Sequence, residues 1–337
     1  MDLDFNRLET VKSFLLGKDD TELFSRADAI RRKVFGDGVF IRGIIEFSNY
    51  CKQNCSYCGL RAPNKNLVRY RLTREEILNC VEIGKEQGIR TIVLQSGEDP
   101  YFSDKWIAEL VAEIKSKYSV AITLSLGERS FETYKLWRDA GADRYLLRIE
   151  TFNRKVYENA RKGHLWNDRL KCVQMLRELD FETGSGFMVG LPGETIDSLA
   201  DSILDLTKLN LDMIGIGPFV SHPETPFKKE SNGDVLLSLR TLAIVRLLNP
   251  QANIPSTSAL ESAQKGARTT GLKVGANVIM PSLTPERVKA LYNIYPGKNA
   301  TQDTTEYSIE AVRKMIREAG LRWSDSIGGS PNWLNHK

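Results

Sequence analysis

From Arg42 almost to the end of this 337-residue chain, short runs rich in β-branched and aliphatic residues alternate with helix-periodic stretches, and no low-complexity linker interrupts them. That alternation implies stacked βα units, because parallel strands are joined only by crossovers long enough to hold a helix. Strands are expected at Arg42 to Phe47, Thr91 to Gln95, Val120 to Leu126, Arg144 to Glu150, Thr183 to Val189, Met213 to Phe219, Asn253 to Thr257 and Ala276 to Met280. Eight of them predict an α/β fold, a complete (β/α)8 TIM barrel. Among the intervening helices, Thr73 with Glu76 reads as a capping box, and Ile196, Leu199, Ile203 and Leu206 form one apolar stripe. Two amphipathic helices near residues 7 to 35 come first. Residues 1–36 are therefore read as an N-terminal helical extension packing on a single-domain barrel, residues 37–337, which ends in a C-terminal extension. A barrel of this type carries its reactive groups where strands end, at the C-terminal mouth.

Composition narrows the function classes. A hydrophobic content of 41% is ample for a large core, and a net charge of +4 is small for this length. The basic clusters Arg31-Arg32-Lys33 and Lys228-Lys229 are expected on solvated helix faces, so no nucleic-acid partner is expected. The acidic N-terminus lacks an apolar leader core and no uncharged apolar run reaches membrane-spanning length, so no membrane association and a cytoplasmic location are expected. Five cysteines, three of them within eight positions, fit a reducing compartment and metal ligation better than disulfides. The only histidines are His164, His222 and His336, and no H-E-x-x-H pair occurs, which leaves zinc-peptidase or triad chemistry little to stand on.

Directly after the first strand, Cys51, Cys55 and Cys58 form a C-x3-C-x2-C loop. A cubane 4Fe-4S cluster normally takes four cysteines, so three leave one iron open to a ligand from outside the protein. A closed zinc site would need a fourth Cys or His at short spacing, and none follows Cys58 nearby. Cys80 and Cys172 lie among apolar residues on predicted helices and read as core thiols.

With the aromatic Tyr57 before its last cysteine, this loop resembles the signature of the radical S-adenosylmethionine (SAM) superfamily. The resemblance implies one 4Fe-4S cluster on Cys51, Cys55 and Cys58, and SAM chelated to the open iron with Tyr57 against its adenine. It also implies reductive cleavage of SAM to a 5'-deoxyadenosyl radical inside a dry barrel. Gln95-Ser96-Gly97-Glu98-Asp99-Pro100, after the second strand, resembles the superfamily's glycine-rich motif for the methionyl amine. There glycine lets carbonyls approach the ammonium and Glu98 supplies negative charge. Ser125, at the end of the third strand, joins this SAM-binding set. Glu150 is expected to accept from the ribose hydroxyls and Arg169 to pair with the SAM carboxylate, the alternative for either being a surface salt bridge.

The segments IIEFSNYC, NKNLVRYR, TIVLQSGEDPY, TLSLGE, GADRYLLR, MVGLPG, GIGPF, GANVIMP and LYNIYPGK together resemble the HydE family of FeFe-hydrogenase maturases, from Arg42 to about Gly297. That resemblance implies action on a small cysteine-ligated iron carbonyl cyanide species in hydrogenase H-cluster (diiron subcluster) maturation. It also implies a substrate cavity lined by Thr123, Arg148, Thr257, Ser258, Met280, Tyr292 and Tyr295, with Arg42 close by. Barrel packing is the alternative for these residues, and for Met280 it is at least an equal one. Partners expected from the resemblance are a small-molecule or organometallic substrate, other maturation proteins, and an electron donor such as ferredoxin or flavodoxin. Some members carry a second cluster just beyond the Y-P-G-K segment, but Asn299 to Val312 holds no cysteine, so a single cluster is expected. Biotin-synthase-like sulfur insertion needs a second cluster, for which Cys80 and Cys172 are too few. A lysine mutase resembling methylornithine synthase, which shares G-E-D-P-Y, is the stronger alternative. A passive iron-sulfur carrier would have no use for polar residues at so many strand ends.

Overall fold

The computed structural model describes residues 4–298 and 305–335. Its strands are β1 (Gly38–Ser48), β2 (Thr91–Ser96), β3 (Ala121–Ser125), β4 (Arg144–Leu146), β5 (Glu182–Val189), β6 (Met213–Pro218), β7 (Val278–Ile279) and β8 (Arg322–Ser324). The sheet runs β6-β5-β4-β3-β2-β1-β7, and every ladder in it is parallel. The result is the curled parallel barrel that the alternating pattern predicts. Registers place Ile44, Val93 and Thr123 in one row, and Glu46, Gln95 and Ser125 in the row above, nearer the mouth.

The expected strand Ala276 to Met280 shortens to Val278–Ile279, β8 has no counterpart in the sequence reading, and two other strands differ further. Residues 253–257 form no ladder and touch the sheet only through the bridges Met213 to Asn253 and Pro255 to Val278. Pro255 has no N–H to donate, and the Asn277 side-chain oxygen accepts from the Ile254 N–H in place of a strand carbonyl. The barrel thus closes on that side through single bridges. β4 ends at Leu146 rather than Glu150, because the Ser185 hydroxyl takes the Ile149 N–H that would otherwise continue the ladder.

β8 pairs with the first residues of β1, and the chain after it seals the N-terminal end of the barrel. There the Ile327 carbonyl accepts from the Thr91 hydroxyl and the Arg144 guanidinium, while the Gly328 carbonyl accepts from Arg42 and Asn253. Arg42 therefore sits in this floor, with Glu182 3.6 Å away, and not beside the cavity where the sequence reading expected it. An unpaired guanidinium at this depth would be costly, so the last residues of the chain give it partners.

The helices Leu8–Leu15 and Asp20–Phe35 pack on Ile196–Lys208 and Val235–Leu248. Thr73 and Glu76 do form a capping box. Of the basic clusters, Arg32 and Lys33 are exposed on the helix Asp20–Phe35 as expected, whereas Arg31 is fully buried, donating to Asp28 and to the Gly36 carbonyl, and the exposed Lys228-Lys229 lie in a turn instead of a helix. Cys80 and Cys172 are both buried in the hydrophobic core. Among the described residues, no helix is long and apolar enough to cross a membrane.

Candidate active site

The cysteine loop leaves the top of β1 and is tied down from every side. Arg69 donates to the carbonyls of Asn49, Leu60, Arg61 and Asn64, and the Asn64 amide donates to the Gly59 carbonyl. Phe227 N donates to the Ser56 carbonyl, and Gly59 N to that of Ile294. From β2, the Glu98 amide points at Cys51 Sγ, 3.4 Å away. Gly97 makes that approach possible, because a Cβ there would lie 2.2 Å from the Tyr50 carbonyl oxygen and 2.7 Å from Cys51 Cβ. Asp99 fixes the turn, accepting from Ser48 and, through two hydrogen bonds, from Arg71, whose guanidinium lies between the Tyr50 and Tyr101 rings at 3.7 and 4.4 Å.

All three thiols border one cavity of about 290 Å³ at the mouth. Burial pushes each of them up, most strongly Cys58, and Arg161 and Arg169 partly offset this at Cys55. Thiols held up in this way become thiolates beside concentrated positive charge, which iron would supply. Among the described residues, no three His, Cys, Asp or Glu groups converge to hold a single metal ion. The thiols instead border a space, as ligands to separate irons of a cubane would.

Around that space lie Tyr57, Gln95, Ser96, Gly97, Glu98, Ser125, Glu150 and Arg169, the residues the sequence reading grouped for SAM. Gln53 donates to Glu98, and Gly127, at φ 80°, leaves the Glu98 side chain its room. Glu150 adopts φ 72°, the left-handed region that non-glycine residues avoid, held there by hydrogen bonds with Gly186 and Met188. Arg169 is no surface ion pair: it is buried, donating to Glu128 and to the Arg148 carbonyl. Arg161 shares Glu128, and although burial would raise the Glu128 carboxyl, these two guanidiniums hold it below the usual range.

On the substrate side, Arg148, Thr257, Ser258, Met280, Tyr292 and Tyr295 line the same cavity. Ser258 and Tyr295 are hydroxyl partners at 2.7 Å. Arg148 Nε lies 3.2 Å from Glu150 Oε2 with the carboxylate off the N–H direction. Among the described residues, Arg148 Nε and Nη2, Arg161 Nε, Glu150 Oε2 and Thr257 Oγ1 are buried without a hydrogen-bond partner. Donors and acceptors of both signs left without hydrogen bonds around one space are costly unless a ligand completes them. The residues present therefore fit a cluster on three thiols together with a zwitterionic ligand. Thr123 is in the row of Ile44 and Val93 but does not reach the cavity wall, and its hydroxyl is also unpartnered among the described residues.

Gln53, Arg161, Arg268 and Lys298 also line the cavity and were missed from the sequence. Arg268 is held by the Ser256 and Met280 carbonyls, while Lys298 pairs with buried Glu46 beneath Tyr292. Burial would raise the Glu46 carboxyl, but Lys298, Thr284 and Ser282 hold it below the usual range. Gln53 had a signal in its place inside the cysteine loop, and Lys298 in closing the LYNIYPGK segment.

Comparison with known proteins bears on family and fold. Residues 45–206 match the Radical SAM superfamily and residues 215–322 the Biotin and Thiamin Synthesis associated domain. The chain is 50% identical over 307 residues to the FeFe hydrogenase maturase subunit HydE of Thermotoga maritima, covering 91% of this chain and 88% of that one. It is 30% identical over 294 residues to 3-methylornithine synthase of Methanosarcina acetivorans, covering 82% and 83%. The crystal structure of methylornithine synthase (PylB) superposes with a TM-score of 0.81 at 26% identity, over 96% of this chain and 95% of that one. Since half of the aligned residues are shared with HydE over nine-tenths of the chain, this protein belongs to the HydE family of hydrogenase maturases within the radical SAM superfamily.

Proposed function

We propose that this chain is a radical SAM maturase acting on a cysteine-ligated iron carbonyl cyanide intermediate of the hydrogenase diiron subcluster. The observation that carries the reading is the half-buried Arg148 side chain, beside Glu150 and with no hydrogen bond at its buried Nε and Nη2 among the described residues, lining the same cavity as the three cysteine thiols. When bound, the cluster and SAM supply a 5'-deoxyadenosyl radical by one-electron reductive cleavage.

The protein's own residues supply position and dryness. Glu98 and Glu150 would offer carboxylates to the methionyl ammonium and the ribose hydroxyls, and Arg169, fixed on Glu128, would pair with the SAM carboxylate. Arg148 offers two donors to an anionic substrate carboxylate, with Thr257, Ser258 and Tyr295 adding hydroxyls, while Met280 and Tyr292 exclude water. Glu150, 3.2 Å from Arg148, stands where the two halves meet. Other maturation proteins, an electron donor such as ferredoxin or flavodoxin, and a cytoplasmic setting belong to the same proposal.

Methylornithine synthase's 30% identity makes lysine rearrangement the second reading. One experiment separates them: reconstituted protein, SAM and dithionite are incubated either with the cysteine-bound iron carbonyl cyanide complex or with lysine. Substrate-dependent radical adducts and 5'-deoxyadenosine with the iron complex support the maturase. Methylornithine from lysine, with no reaction on the complex, would replace it.

A further inference from the structure

Beside the cysteine loop, on the outer surface, residues 61–66 and 223–228 form the two walls of an open groove of about 440 Å³. Exposed Lys65 and Lys228 and half-buried Arg61 line it, and exposed Lys229 follows. The exposed acids Glu224 and Glu230 offset only part of this charge, and Asn66 donates to Glu224 across the groove.

Both walls are bonded straight into the cysteine loop. Arg61 N donates to the Cys58 carbonyl, and the Asn64 amide to that of Gly59, on one side. On the other, Phe227 N donates to the Ser56 carbonyl. His222 links the two: its Nδ1 accepts from Glu224 N in the groove wall, while its ring lies against Gly59, the residue after Cys58, so closely that a Cβ there would be 2.5 Å from Nε2. From the groove to a cluster ligand the path is one hydrogen bond and a few covalent bonds.

We infer that this groove is where an acidic one-electron carrier protein docks to reduce the cluster. The inference rests on the radical SAM reading, which requires one electron from outside the chain for each SAM cleaved. Charge complementarity identifies the occupant as acidic, since surplus Lys and Arg around a desolvated contact steer an anionic partner and fix its orientation. Contact here places the carrier at the cysteine loop, at a groove that shares no lining residue with the cavity.

The test uses the reconstituted enzyme and the double variant Lys65→Glu with Lys228→Glu, both at exposed positions outside the active site. Binding of oxidised flavodoxin is titrated at low and high salt, and 5'-deoxyadenosine formation is followed with reduced flavodoxin or with dithionite. The expected result is affinity for flavodoxin weakened about tenfold or more at low salt, a flatter salt dependence, and an equal loss of flavodoxin-driven turnover, with the dithionite rate unchanged. Unchanged flavodoxin affinity and turnover, or an equal fall in the dithionite rate, would overturn the docking assignment. Wild-type enzyme that forms no 5'-deoxyadenosine even with dithionite would instead refute the radical SAM reading on which it rests.

Discussion

Gly97→Ala is the sharpest structural test of how the cysteine loop is held. The added methyl carbon would stand 2.2 Å from the Tyr50 carbonyl oxygen and 2.7 Å from Cys51 Cβ. Non-bonded carbon settles at roughly 3.5 Å, so the loop carrying Cys51 must retreat by about 1 Å. The nearest atom is backbone, and rotating a side chain does not relieve it. Overpacking of this kind costs about 1–3 kcal/mol, and misplacing a positioned group by about 1 Å costs on the order of 100-fold in rate. The assay is iron and sulfide per chain after anaerobic reconstitution, with 5'-deoxyadenosine formation alongside. Gly97→Ala should lose most of its iron or, where iron is retained, most of its SAM cleavage. Gly38→Ala, whose Cβ would meet nothing closer than 3.5 Å, should behave as wild type. Full iron and unchanged SAM cleavage in Gly97→Ala would show that the turn after β2 does not hold the loop as described.

Arg148→Lys keeps the charge but loses the planar fork, so substrate-dependent radical adducts should fall by at least tenfold while SAM cleavage without substrate survives; equal loss of both would place Arg148 in the SAM site. Glu150→Gln should weaken SAM binding, measured by titration, by about 1.5–3 kcal/mol with iron content intact. Burial would raise the Asp99 carboxyl, but Arg71, Ser48 and the Tyr101 amide hold it below the usual range. A depressed folded pKa stabilises fully above the ordinary carboxylate range and is lost as pH falls through and below it. Cluster-free protein should therefore lose stability on acidification less steeply in Asp99→Asn than in wild type, as read from urea midpoints; identical slopes would contradict the Asp99–Arg71 role.

Much of this architecture is legible before any coordinates. The first six strands stand out because their runs are apolar and bounded by helices with clear stripes and caps, such as the one opened by Thr73 and Glu76. The expected seventh strand looks the same locally, yet Pro255 and the Asn277 side chain replace its ladder, a substitution visible only once the two segments are neighbours. Arg42 shows the same limit more sharply. Its partner Gly328 lies 286 positions away, so a guanidinium that could serve a ligand equally well serves the barrel floor. In the active site, the cysteines and strand-end residues carry their own signal through spacing. Arg161 and Arg268 carry none, because the short helices that bring them to the cavity set no periodic pattern.

The central claim is that Cys51, Cys55 and Cys58 hold one cluster with an iron open to SAM. Electron paramagnetic resonance of the anaerobically reconstituted, dithionite-reduced enzyme, with iron and sulfide counted on the same sample, tests it directly. The account predicts about four irons and four sulfides per chain and a single reduced-cluster signal that changes when SAM is added. An iron count near eight with two signals, or a single signal indifferent to SAM, would contradict it.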